Sequence, residues 1–371
     1  MRPLEGLLVL DFSTLLPGPL ASLMLAEAGA RVVKIERPGR GDEMRSYEPR
    51  LGEDSINFAM LNRGKQSIAI DLKAPDAIAR LKPLLLSADV VIEQFRPGVM
   101  DRLGLGYEAL RRLNPALIYC AITGWGQSGP KADIAAHDLN YMAEAGVLDL
   151  TRGSDGAPVL PPILAADIAG GAMPAVTNIL LALRQRDQTG QGCQLDIAMA
   201  DNLFTFNYWG LGSGFAGAGW PKGGDELVTG SSPRYQIYRT ADDRYLAAAP
   251  LEDKFWQNFT RIILLPEELQ SPDADPRAVK AAIGAIIASR TAAQWQAAFA
   301  GQDVCCSIVA TLEEAARDPH FAERGLFAHG LKAGGREIPA LPVPVAPTFR
   351  SNTIRAAAPA LGETTDPFLS I

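Results

Sequence analysis

At 371 residues the chain is long enough for about two domains, and its 47% apolar and 21% charged residues match ordinary globular composition. A net charge of −7 excludes a global positive field for nucleic acid or an acidic membrane, so local basic residues must hold any anionic ligand. The cysteines, Cys120, Cys193, Cys305 and Cys306, form no Cys-x-x-Cys pair and have no histidine at zinc-ligand spacing, so they read as small hydrophobes in a reducing compartment.

The opening "MRPLEGLLVLDFS" meets Glu5 and Asp11 too early for a signal h-region, and no uninterrupted apolar run approaches the ~20 residues of a membrane span. A cytoplasmic protein is expected. "LLVLDFS" (7–13) is an apolar run of strand length, followed by a turn at Pro17-Gly18-Pro19 and the helical pattern "LASLMLAEAGA". "RVVKIER" (31–37), "SIAIDLK" (67–73), "DVVIEQF" (89–95) and "ALIYCAITGWG" (116–126) read as further strands, with helices at 75–88 and 106–113. This alternation predicts a parallel sheet covered on both faces, with ligands beyond the carboxyl ends of its strands. A dinucleotide site is disfavoured, because "TLLPGPLAS" lacks the Gly-x-Gly-x-x-Gly that admits a pyrophosphate, although Glu36 ends the second strand.

Next come "HDLNYMAEAGVLDL" (137–150), a Gly- and Pro-rich loop, and "ILAADIAGGAMPAVTNILLALRQRDQTGQG" (163–192), a loop running into a long helix. "CQLDIAMAD" is strand-like again. The glycine-rich stretch 210–232 marks a linker or mobile loop, and the domain boundary is placed there. Beyond it, "RYQIYRT" and "RYLAAAP" pair around the turn Ala241-Asp242-Asp243. Helices follow at 251–265, 276–289 and 291–300, then the strand "VCCSIVA" (304–310), a helix over 311–324 and a proline-punctuated extended tail. The expected organisation is a large domain over 1–210, a linker over 211–232, a small domain over 233–328 and a C-terminal segment, 329–371, returning to the large domain.

Arg37, Arg40, Lys65, Arg96, Arg102 and Lys131 fall near predicted strand ends, where several could grip phosphates; any one alone reads as ordinary surface charge. His137, heading an apolar run, reads singly as structural. Asp167 reads as the N-cap of the helix after it, and Glu252 as an acid favoured by a helix dipole. Asp138 caps or orients the run it begins.

Together the segments change this picture. "GLLVLDFSTLLPGPLASLMLAEAGARVVKIERPGRGD", "NRGKQSIAIDLK", "DVVIEQFRPGVMDRLGL", "AITGWGQSGP", "HDLNYMAEAG", "ADIAGGAM", "TGQGCQLDIAM" and "YRTADDRYLAAAPLEDKFW" resemble the family III CoA-transferases, the CaiB/BaiF group, and within it the α-methylacyl-CoA racemase branch. The resemblance implies an α/β fold, with a Rossmann-like parallel-sheet large domain and a smaller α+β domain, in an interlocked homodimer. It implies an acyl-CoA site at Leu15, Leu16, Arg37, Lys65, Gln94, Phe95 and Arg102, with Phe95 or Leu72 against the adenine, and Lys131 of the basic cluster is added to the expected CoA contacts. No metal and no cofactor beyond the CoA of the substrate are expected, and the charge and the lack of a long apolar run predict no nucleic-acid or membrane partner.

Asp167 matches the carboxylate that carries the acyl group and then CoA in the transferases and that moves a proton in the racemases. His137 and Glu252 match the racemase histidine and the glutamate that pairs with it. Proton removal beside a thioester needs a base on one face, an acid on the other and donors for the enolate oxygen, here expected from the helix start after Asp167. "TGSSPRY" (229–235) departs from the racemase pattern by placing Arg234 where an aromatic is usual, which suits a carboxylate near the acyl pocket. The favoured reaction is racemisation of a 2-methylacyl-CoA; CoA transfer to a carboxylate and non-catalytic acyl-CoA binding are the alternatives.

Overall fold

A computed structural model describes residues 2–153, 155–350 and 355–364. The first half runs β1 (Leu8–Asp11), α1 (Pro17–Glu27), β2 (Arg31–Glu36), a small hairpin of β3 (Arg50–Leu51) and β4 (Asp54–Ser55), α2 (Ile56–Asn62), β5 (Gln66–Ala69), α3 (Ala77–Ser87), β6 (Val90–Glu93), α4 (Val99–Arg102), α5 (Tyr107–Leu113), β7 (Ile118–Thr123) and α6 (Asp138–Glu144). After it come α7 (Met173–Thr189), β8 (Gln194–Ala198) and α8 (Met199–Leu203). Six strands form one parallel sheet in the order β5-β2-β1-β6-β7-β8. Its four inner strands, β2, β1, β6 and β7, are almost wholly buried, as expected of a sheet covered on both sides, while the edge strands β5 and β8 are partly exposed. Leu10 lies beside Val33 and Val91 in the register, and all three join the core packed by Leu81, Leu84 and Leu85 of α3.

The chain divides into two compact units. The first comprises 1–145, 161–207 and 322–371; the second comprises 146–160 and 208–321. The boundary therefore falls at 207/208, and the 146–160 excursion belongs with the later residues instead of the large domain expected over 1–210. In the stretch expected as a linker, α9 (Tyr208–Phe215) forms, and Phe215 meets Trp220 edge-on at 5.6 Å. Gly214 permits this, since a Cβ there would lie 2.4 Å from the Trp220 ring.

The second unit carries the antiparallel pair β9 (Gln236–Arg239) and β10 (Tyr245–Ala248), then α10 (Asp253–Ile263), α11 (Pro276–Ile287), α12 (Ala292–Phe299) and β11 (Cys306–Ile308). β11 joins the far side of β10. Its core is aromatic, built on Phe259, Trp295 and Phe299, and the Trp295 indole N–H reaches the Ile287 carbonyl at 2.8 Å. The helix expected over 311–324 is two short ones, Leu312–Ala316 and Pro319–Glu323, because Pro319 cannot continue the first.

The C-terminal segment forms β12 (Gly330–Ala333), β13 (Arg336–Pro339) and β14 (Arg355–Ala357). It is tied to β5 where the Gly362 N–H donates to Ser67 Oγ at 3.0 Å. Residues 351–354 and 365–371 of the expected 329–371 segment lie outside the described residues.

Candidate active site

The strand order reverses between β1 and β6, so the crevice beyond their carboxyl ends is where this sheet should take a ligand. The loop leaving β1 is held from beneath by a buried lattice of charges. Lys34 Nζ donates to the Ser13 carbonyl at 2.7 Å and pairs with Asp42 at 3.0 Å. Lys65 Nζ lies within 3.2 Å of Asp11, the Pro19 carbonyl, Ser22 Oγ and Asn62 Oδ1. Burial pushes the Asp11 carboxyl up, but Lys34 and Lys65 outweigh it and hold that group below the usual carboxylate range. Burial lowers Lys65 to about 8 against the opposing pull of Asp11. The lattice fixes the strained Leu15, whose φ is +63° and whose N–H donates to Asp42 Oδ1 at 3.1 Å.

Over this base lies a cavity of about 780 Å³ whose walls include Arg37, Leu72, Lys73, Phe95 and Arg102. Arg37, Leu72, Phe95 and Arg102 thus share one cavity, whose wall also carries Glu36, Asp42, Glu43 and Asp71. Lys65 is not among them. Its side chain is fully buried and its three N–H donors face four internal acceptors, so it has none to offer a phosphate. Lys73, exposed after β5, is the lysine on the cavity wall.

A second cavity, about 370 Å³, shares Phe95 with the first and is lined by Leu15, Gln94, His137, Asn140, Tyr141 and Asp167 among others. The adjacent His137 and Asp138 divide two tasks. His137 occupies the N-cap of α6, its backbone N–H donating to Asn140 Oδ1 at 3.0 Å, and its exposed side chain lines the cavity. Asp138 is buried and turned the other way, accepting the N–H groups of Ala166 and Asp167, the latter at 2.9 Å. It caps, from a distant point in sequence, the helix that carries Asp167.

That helix begins with a π-helical stretch, Ala166–Ala172, and runs on into α7. Asp167 is therefore inside the first turn and is not an N-cap; Ala165 holds that position without a side-chain bond. Because the N–H of Ile168 goes to the Leu164 carbonyl, the N–H groups of residues 166, 167 and 168 are all engaged. Of the N–H groups expected after Asp167 to receive an enolate oxygen, that of Ile168 is therefore already engaged. A Cβ on Gly170 would sit 2.5 Å from the Met199 carbonyl, so only glycine lets this turn lie against α8. Asn202 of α8 donates to the Gly170 carbonyl at 2.7 Å. The whole helix, Ala166–Thr189, has the length and hydropathy of a membrane span, with Ala166, Ala175, Ile179 and Ala182 buried in the unit.

Burial, and secondarily the charge of Asp138, pushes the Asp167 carboxyl up to about 7. Replacing Asp138 by alanine should therefore cost about 1–2 kcal/mol of stability through the lost cap. It should also move the Asp167 pKa down, since a negative neighbour is removed. Carboxyl NMR titration of Asp167 checks the sign, and an upward shift would refute the arrangement.

Gln94, on the smaller cavity's wall, also accepts the Gly18 N–H through Oε1 at 3.1 Å. Other expected residues lie elsewhere. Leu16 stands at the N-cap of α1 and is not on either cavity wall. Lys131 pairs with Glu144 and lies 4.9 Å over the Trp125 ring, also off both walls. In the second unit, Arg234 donates to the Leu251 carbonyl, pairs with Asp253 at 2.6 Å and stacks 5.0 Å over Trp256. Its charge is engaged at the start of α10, and the neighbouring cavity is walled by Tyr235 and Ile237 without it. Glu252 is exposed at the N-cap of α10, with no capping bond from its side chain. Among the described residues, no three His, Cys, Asp or Glu side chains gather as a metal site.

The family model described as CoA-transferase family III matches residues 4–365. The alpha-methylacyl-CoA racemase of Homo sapiens is 34% identical, covering 99% of this chain and 92% of that protein. The acetyl-CoA:oxalate CoA-transferase of Acetobacter aceti is 33% identical over 97% of this chain and 93% of its own length. The crystal structure of a CAIB/BAIF family protein from Brucella suis matches with a TM-score of 0.83 at 29% identity, covering 98% of this chain and 97% of that one.

Proposed function

Because the chain belongs to CoA-transferase family III, we propose that it binds 2-methylacyl-CoA thioesters and inverts the α-carbon by removing and returning its proton. The observation that carries this reading is the shared wall at Phe95. The crevice at the switch point offers Arg37, Lys73 and Arg102 to the nucleotide end of CoA, and the cavity across Phe95 offers His137 and Asp167 to the thioester end. One of the pair takes the α-proton and the other returns a proton to the opposite face. A carboxyl near 7 serves both directions at neutral pH, since neither its acid nor its base form is scarce.

Arg37, Lys73 and Arg102 are assigned to the phosphates, and Leu72 and Phe95 to the adenine and pantetheine. Leu15 and Gln94 lie along the thioester end. Glu252 keeps the role the resemblance implies, a carboxylate orienting the His137 imidazole, within an interlocked pair of chains. The reaction so written needs no cofactor besides the CoA of its substrate.

Incubation of the wild-type chain with a single-enantiomer 2-methylacyl-CoA in D2O tests the reading: deuterium should enter the α-position as optical purity falls. Absence of exchange across a panel of 2-methylacyl chains would end it. A second reading is favoured by the relatives named as transferases, the acetyl-CoA:oxalate enzyme and the 41%-identical succinyl-CoA:glutarate CoA-transferase of Mus musculus, which covers 53% of this chain. There the Asp167 carboxylate attacks the thioester carbonyl and expels the CoA thiolate, which then attacks the aspartyl carbonyl of the anhydride and releases the donor carboxylate. The acceptor carboxylate attacks the aspartyl-CoA thioester and expels the thiolate, which then attacks the acceptor carbonyl of the new anhydride, giving the product acyl-CoA and free Asp167. Hydroxylamine should then label Asp167 only when acyl-CoA is present.

A further inference from the structure

The carboxyl end of β6 holds a buried acid that proton transfer does not use. Glu93 is only 4% exposed. Its Oε2 accepts the backbone N–H of Phe95 at 2.7 Å, and its carboxylate is also hydrogen-bonded by the Tyr119 side chain. Phe95 is the residue common to both cavities. The intervening Gln94 takes the Gly18 N–H, fastening this strand end to the start of α1 beside Pro17, itself on the smaller cavity's wall.

A charged group buried this deeply is costly, and an apolar residue would fill the space without that cost. Burial raises Glu93 to about 7, with Asp101 and Asp196 adding repulsion. What the carboxylate does in return is geometric. It fixes the backbone two residues on, at Phe95, the residue that both cavities share.

We propose that Glu93 is a positioning residue for the CoA thioester, holding the Phe95 backbone so that its ring forms the partition over which the pantetheine arm passes. The inference rests on the CoA thioester reading above. Its prediction is a selective loss of CoA affinity. Glu93→Ala should raise the Kd for free CoA and the KM for acyl-CoA about tenfold, the effect of losing one charge-assisted hydrogen bond, while kcat changes by less than about threefold. Glu93→Gln retains an acceptor for the Phe95 N–H and should stay within about twofold of wild type.

Titration calorimetry with CoA, run beside thermal melts, provides the test. Leu85→Ala, a core truncation on α3 away from both cavities, serves as the control for general destabilisation. Should Glu93→Ala not fold, Glu93→Asp, which draws the carboxylate back by one methylene, takes its place. Weakened CoA binding in the Ala or Asp variant, with Gln and Leu85→Ala near wild type, supports the role. Unchanged CoA binding in that variant overturns it, as does a Gln variant as weak as Ala, or loss of binding in Leu85→Ala in step with its melting temperature. A wild-type chain that does not bind CoA overturns both the inference and the reading beneath it. Binding without exchange or transfer overturns the reading of the reaction alone.

Discussion

The His137→Ala and Asp167→Ala chains are each expected to racemise a single-enantiomer 2-methylacyl-CoA at least about 10³-fold more slowly than wild type, within the range of a lost general acid or base. Both residues line the smaller cavity and neither lines the larger one that holds Arg37, Lys73 and Arg102, so each should lose turnover while CoA binding stays within about threefold. The pair also separates the two reactions. In a proton-transfer enzyme both variants fail. In a transferase only Asp167 forms covalent intermediates, so His137→Ala should retain CoA transfer while Asp167→Ala abolishes it. Normal racemisation in His137→Ala would exclude the two-base mechanism, because no other imidazole or carboxylate has been assigned to that face.

Lys65→Ala should unfold the protein more readily by about 3–5 kcal/mol, the cost of removing one partner from a buried ion pair. The loss leaves Asp11 in a wholly buried setting with one cationic neighbour fewer, and strands the Pro19 carbonyl, Ser22 and Asn62. Urea unfolding measures it directly. Lys73→Ala is the contrasting variant: exposed on the cavity wall, it should change stability by less than about 0.5 kcal/mol and weaken CoA binding. If Lys65→Ala unfolds at the wild-type urea concentration and only raises KM, the lattice does not carry the Leu15 loop as described.

The two lysines show what was legible. Lys65 precedes β5 and Lys73 follows it, and the rule that ligands lie beyond carboxyl ends already favours the second. The motif that carries the resemblance, "NRGKQSIAIDLK", contains both and cannot choose between them. Asp138 was open to the same confusion. As the first residue of α6 it looks like a helix-start acid, yet its hydrogen bonds go to residues 166 and 167. Glu93 carried no signal at all, being one acid at the end of an apolar strand.

Local order could be read from local pattern. The apolar runs at 8–11, 31–36, 90–93 and 118–123, alternating with helical periodicity, determine a parallel sheet because hydrogen bonding and burial act on neighbouring residues and leave a period. The ordered motifs determine the family. The tertiary structure decided which polar groups face ligand and which face protein: Lys65 inward, Lys73 outward, Asp167 within a π-helical turn capped by Asp138. Those outcomes depend on contacts between residues tens of positions apart, whose desolvation and pairing energies no single stretch of chain contains.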